Sequence, residues 1–152
     1  METIEKSIEV LNDLIEINND RIAGFAHATK DIGDNDLEIK ALFQKLREES
    51  RYNVHELGSV INKNGGEPEM GMSSRGALHR AWLDVKATFT GHDRRSILEE
   101  CERGEDAIKK AYQEALSPDS DLTPEFAEIV SRQQEEIIAA HNQIKALRDG
   151  EA

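Results

Sequence analysis

Apolar side chains recur at spacings of three, four and seven along four long stretches of this chain. No stretch alternates apolar and polar residues in the manner of a strand. In the first, the recurring residues are Ile4, Ile8, Leu11, Ile15, Ile22 and Phe25. In the second they are Ile39, Leu42, Leu46, Leu57 and Val60. In the third, Ala77, Leu78, Ala81, Trp82, Val85 and Phe89 precede a break at Thr90-Gly91-His92-Asp93. After it, Leu98, Cys101, Ile108, Tyr112 and Ala115 resume the period. In the fourth they are Phe126, Val130, Ile137, Ala140, Ile144 and Leu147. Breaker residues separate the stretches: Asp31 to Asp36, Asn64 to Ser74 with Gly65, Gly66, Pro68 and Gly71, and Ser117 to Asp121. Thr123 followed by Pro124 reads as an N-cap with Pro in the first helical position. Helices are predicted over about 3–31, 36–64, 74–117 with a break near 91, and 123–148. A helix of about 25 residues is about 38 Å long. Four such helices, each with one apolar stripe, bury those stripes by packing together. The expected fold is therefore all-α: one up-down four-helix bundle over residues 1–152, with a long central crossover carrying a short extra helix.

Charge excludes some functions. Lys and Arg number 19 and Asp and Glu 31, a formal charge of −12. Such a surface repels phosphate backbones, so no nucleic-acid partner is expected. No run approaches the roughly 18 apolar residues that span a bilayer. Cys101 is the single cysteine, so no internal disulfide forms. On the core stripe it reads as a small hydrophobe rather than a nucleophile. The start Met1-Glu2-Thr3-Ile4-Glu5 lacks the basic and apolar stretches of a secretion signal, which points to a cytoplasmic protein. The charged residues Glu48, Glu49, Arg51, Glu135 and Glu136 read as solvated outer faces. No Walker loop, dinucleotide-binding glycine turn or Cys-x-x-Cys motif is present.

The informative positions are those where the stripes fail. Seven residues before Phe25, the first helix places Asn18 on its core face. The second passes through Ser50 and Asn53 between Leu46 and Leu57, and the third through Glu105 between Cys101 and Ile108. All four interruptions fall near helix midpoints, so they are expected to meet in one polar core layer. A carboxylate there needs hydrogen-bond donors or a cation. At that level the fourth helix supplies Ile137 and Ala140. His141 sits one residue off the stripe and Gln133 a turn below. The layer reads either as a structural network that fixes helix register or as a variant of a metal site.

The sequence resembles a bacterial family of ferritin-like four-helix-bundle proteins of unknown function. The resemblance is carried by Glu2-Thr3-Ile4-Glu5, by Leu11 to Glu16, by Ala77 to Ala87, by Ile97 to Asp106 and by Ala140 to Asp149. It implies the ferritin-like fold. Ferritin-like di-iron proteins take a Glu from each of two helices and Glu-x-x-His from each of the other two, with i and i+3 on one helix face. In this register the first Glu falls on Asn18, and the second helix's Glu and His fall on Ser50 and Asn53. The third helix keeps Glu105. The fourth motif falls on Ile137 and Ala140, or on Ile138 and His141.

A non-catalytic bundle without an intact di-iron site, with a link to stress, is the function implied, and no cofactor is expected. The alternative is a divergent iron- or manganese-binding protein using Glu105, Glu136 and His141. A third reading makes the layer near Asn18, Asn53 and Glu105 a polar pocket for a small molecule. The oligomeric state stays open: if the chain forms a homo-oligomer, the helix over 74–89 is its candidate docking element, while Trp82 reads first as seating that helix on the bundle and second as docking on a partner or membrane face.

Overall fold

The computed structural model describes residues 2–32, 36–68, 94–120 and 122–150. Among the described residues there are four long α-helices and no strand: α1 (Glu2–Ile32), α2 (Leu37–Lys63), α3 (Arg94–Ala115) and α4 (Pro124–Asp149). A single 3-10 turn, Pro118–Ser120, lies between α3 and α4. The part of the predicted 74–117 helix before residue 94, with its break near Gly91 and the Trp82 segment, lies outside the described residues. None of the described helices is long and apolar enough to cross a membrane.

Local chemistry sets the helix ends. Asp36 caps α2, its side chain accepting a hydrogen bond from the Ile39 amide at 3.1 Å. At the other end of α2 the chain leaves through Gly65, whose φ is +82°, a left-handed conformation that costs glycine little. Gly66 follows where a Cβ would lie 2.9 Å from Ile61 Cγ2, so the Gly-Gly pair meets both a conformational and a steric demand. Thr123 stands in extended backbone before Pro124, but its side chain makes no capping hydrogen bond. The rigid φ of Pro124 suits the first turn without one.

Two contacts fix helix direction. Arg94 Nη1 at the start of α3 lies 3.1 Å from Asp36 Oδ2 at the start of α2. The Thr123 amide, just before α4, donates to Ser7 Oγ near the start of α1 at 3.3 Å. Hence α1 and α4 begin at one end, and α2 and α3 begin at the other. Helix α1 packs closely on α2 and α3, and α3 on α4. Helices α2 and α4 are bridged by side chains, Arg132 Nη2 and Gln133 Nε2 both donating to Glu56.

The apolar core divides in two. One cluster gathers Phe25, Ile32, Ile39, Phe43, Leu46, Leu98, Cys101 and Ile144 at the end where α2 and α3 begin. There Phe25 and Phe43 pack with ring centroids 5.4 Å apart. The other gathers Leu11, Leu14, Ile15, Leu57, Ile61, Ile108, Tyr112, Phe126, Val130 and Ile137 at the opposite end.

Five of the described stripe positions are not fully buried: Ile4, Ile8, Ile22, Val60 and Leu147. Ile4 is 38% exposed. Ile61 takes the fully buried place assigned to Val60, which is half-buried one residue away. Arg21 takes the buried place assigned to Ile22, which is half-buried.

Cys101 is 2% exposed within the first cluster. Burial pushes its thiol well above the ordinary value, and the nearby Glu105 and Glu100 charges add to this. The native protein is expected to leave Cys101 unmodified by a thiol reagent at pH 8 and to react fully once unfolded. Rapid native modification would contradict this placement.

Candidate polar-layer site

Between the two apolar clusters lies a layer built from all four helices. Asn18, Arg21, Ser50, Asn53 and Glu105 are each fully buried, and Gln133 is 1% exposed. The four residues singled out in the sequence, Asn18, Ser50, Asn53 and Glu105, are thus brought into one region. The residue that joins them is Arg21, which the apolar pattern passed over.

The Arg21 guanidinium grips Glu105 with two parallel bonds: Nε donates to Oε1 at 2.8 Å and Nη2 to Oε2 at 2.9 Å. This fork-to-fork geometry suits a planar guanidinium and a carboxylate. The remaining nitrogen, Nη1, donates to Ser50 Oγ at 3.0 Å and to Glu49 Oε1 at 3.2 Å. The Phe25 ring lies beneath, its centroid 5.5 Å from Arg21 Cζ. Burial alone would lower the arginine pKa, but the charges and hydrogen bonds of Glu105 and Glu49 outweigh it and raise the pKa. Arg21 is therefore a permanent interior cation.

From Ser50 the network continues through amides and a phenol. Ser50 Oγ donates to Asn18 Oδ1 at 2.9 Å, and Asn53 Nδ2 reaches the same oxygen at 3.3 Å. Asn18 Nδ2 donates to the Leu14 carbonyl one turn back and to the Tyr112 hydroxyl at 2.9 Å. Tyr112 donates to Gln133 Oε1 at 2.7 Å, and Gln133 Nε2 donates to Glu56 Oε1 at 2.8 Å. The chain of bonds thus runs from buried Glu105 to Glu56 and Arg132 at the surface. Burial raises the Tyr112 hydroxyl above its ordinary value, so the phenol stays protonated and able to donate.

Two readings of the fourth helix and the outer faces are corrected here. Helix α4 does contribute to the layer, through Gln133 rather than at the level of Ile137 and Ala140. The Tyr112 side chain is long enough to reach down that turn. Glu49 is not plain solvated surface: its side chain is 17% exposed and touches Arg21.

Glu49 also lines a cleft of about 400 Å³ between α2 and α4, with Lys45, Leu46, Tyr52, Glu136, Ala139, Ala140 and Gln143. Asn18, Asn53 and Glu105 do not line this cleft: Asn18 and Glu105 spend their polar atoms in the network, as does Asn53 Nδ2, while Asn53 Oδ1 is buried without a hydrogen bond. Glu136 is an exposed residue on the cleft wall. His141 is buried on α4 and faces Asp106 of α3. Both Glu105 oxygens are engaged by Arg21, so the structure does not gather Glu105, Glu136 and His141 around one point.

Burial outweighs the Arg21 charge at Glu49 and raises its carboxyl above the ordinary value of 4.5. A folded-state pKa above the unfolded one means that the native state holds the proton more tightly. Stability from this group is fully present below about pH 4.5 and is lost as pH rises through the raised value. Glu49→Gln is expected to flatten that part of the profile, read by urea unfolding at half-unit pH steps from 4.5 to 7. An unchanged slope would show that Glu49 titrates normally.

Residues 6–118 match the family model described as "Domain of unknown function (DUF2383)". The match covers more than half of the 152-residue chain, and the chain belongs to that family. No curated protein matches it.

Proposed function

We propose that this member of the DUF2383 family is a non-catalytic, ferritin-like bundle protein in which the Arg21 guanidinium supplies the interior positive charge that a di-iron pair supplies elsewhere. The observation that carries this is the bidentate Arg21–Glu105 pair, fully buried at the junction of the two core clusters. Glu105 is the position that the ferritin-like resemblance assigns to a retained ligand, and a guanidinium holds both its oxygens. Three other positions of that ligand set hold Asn18, Ser50 and Asn53, which are poor iron ligands, and in neither register does the fourth helix supply Glu-x-x-His. A cation entering the layer would meet a fixed positive charge. The shared starting ends of α1 with α4 and of α2 with α3 support the ferritin-like topology, since they make α2 and α3 run in the same direction. The bacterial, cytoplasmic and stress-linked parts of the proposal rest on the sequence resemblance, and the expectation of a homo-oligomer on the habits of the fold.

The test is ferrous iron added in air to purified, metal-free protein. The expected result is no oxidation-linked absorbance above buffer and no iron retained at two per chain. Two iron ions per chain, lost in Glu105→Gln, would overturn the proposal in favour of a divergent di-iron protein.

A further inference from the structure

We propose that the seam between α3 and α4 carries a separate site for one divalent transition-metal ion, with Glu102, Asp106 and His141 as its ligands. Glu102 and Asp106 stand four residues apart on α3, so they share a face. His141 faces them from α4. One ligand atom from each of the three lies within 4.8 Å of the others. Ligands held to one ion at about 2.0–2.2 Å lie within about 4.4 Å of each other. The three groups are therefore already close to the separation that one ion imposes, and the 58%-exposed Asp106 carboxylate is free to close the difference.

A second observation points to a ligand. His141 is 6% exposed, and its Nε2 is buried with no hydrogen-bond partner among the described residues. Asp106 Oδ1 lies 2.5 Å away and is an ion-pair partner when the ring is protonated, whereas the neutral ring is the form that binds a metal. The other ring nitrogen, Nδ1, faces Asn142 Oδ1 at 3.3 Å. With Nδ1 donating to Asn142 Oδ1, Nε2 is the ring nitrogen left to bind an ion beside Glu102 and Asp106, and an outer partner on the other nitrogen is how a ligating histidine is commonly fixed. A buried nitrogen left without a partner is costly, and a metal bond satisfies it.

The donor set selects the ion. An imidazole nitrogen with two carboxylates suits zinc, manganese or ferrous iron, whereas magnesium and calcium prefer oxygen alone. The two carboxylates carry −2 and Arg148, paired with Glu102, leaves a net −1 to attract a dication. Arg148 Nη1 pairs with Glu102 Oε2 and anchors that side chain. A carboxylate offers about four lone-pair directions, so this contact does not exhaust it. Three protein ligands leave a coordination position on the solvent side, beside Asp106.

The probe is zinc chloride, titrated by calorimetry into the metal-free full-length protein. One saturable equivalent per chain is expected, with a rise in melting temperature. Asp106→Asn and His141→Ala are each expected to weaken binding about tenfold or more. Asp106 is largely exposed, so its variant keeps the fold if His141→Ala does not. Glu105→Gln and Glu136→Gln are expected to bind zinc as the native protein does, which separates this site from the Arg21 layer. Absence of saturable uptake, or equal affinity in Asp106→Asn, would overturn the proposal. Zinc binding lost in Glu105→Gln but kept in Asp106→Asn would overturn it too, and would place the metal in the layer.

Discussion

Glu105→Gln is expected to destabilise the bundle by about 3 kcal/mol, because it strips a buried guanidinium of its bidentate partner. For a protein of this size that is a fall in melting temperature of roughly 6–12 °C. Glu49 stays within reach of Nη1 but grips one nitrogen only, at 3.2 Å, so it does not replace the lost pair. Arg21→Met is expected to cost a similar amount by leaving Glu105 alone in the core. The double variant Arg21→Met, Glu105→Leu should recover most of that loss, since a buried ion pair contributes little beyond an apolar pair of similar volume. Its helices should then pack in less well defined register, visible as broadened resonances of core side chains. Urea unfolding of the native protein, Arg21→Met, Glu105→Leu and the double variant completes the cycle. A single variant within about 0.5 kcal/mol of the native protein would sink the idea that this pair is buried and coupled.

Asn18 is the second sensitive point. Its side chain makes four hydrogen bonds: to Leu14 and Tyr112 through Nδ2, and from Ser50 and Asn53 through Oδ1. Asn18→Ala leaves the Ser50 hydroxyl and the Asn53 amide without their shared acceptor and opens a void. The expected cost is about 2–4 kcal/mol. Asn18→Leu separates the two causes, because it refills the volume and still orphans the polar groups. It is expected to remain at least about 1 kcal/mol below the native protein. Native-like stability in Asn18→Leu would mean that the network adds nothing beyond filling space.

Both effects trace to residues of different legibility. Asn18, Ser50, Asn53 and Glu105 stand out in the sequence because each interrupts an apolar period at a helix midpoint. Arg21 was hidden by its neighbour. A helix stripe alternates steps of three and four, so after Asn18 either Arg21 or Ile22 fits, and hydrophobicity favours Ile22. The signal that would have favoured Arg21 is the carboxylate itself: a core Glu requires a cation, and Arg21 is the arginine one step along the stripe from Asn18. Gln133 was hidden differently. Its turn lies below the layer, and only the reach of the Tyr112 side chain ties the two. The seam of Glu102, Asp106 and His141 has no sequence period, since it depends on how α4 is rotated against α3.

For the described residues, the sequence by itself determined that the four long stretches are helices and where most of their apolar residues fall, because period, caps and Gly-Gly breaks act over a few residues along one chain. It also determined that a polar layer must interrupt the core. Only the tertiary structure decided what balances that layer's charge and which ends of the helices stand together. Those depend on side chains from different helices meeting at 3 Å, and the rotation of one helix against another is set by the packing of the whole bundle. A shift of one residue in that rotation would exchange Arg21 for Ile22, and with it an ion pair for an unpartnered carboxylate.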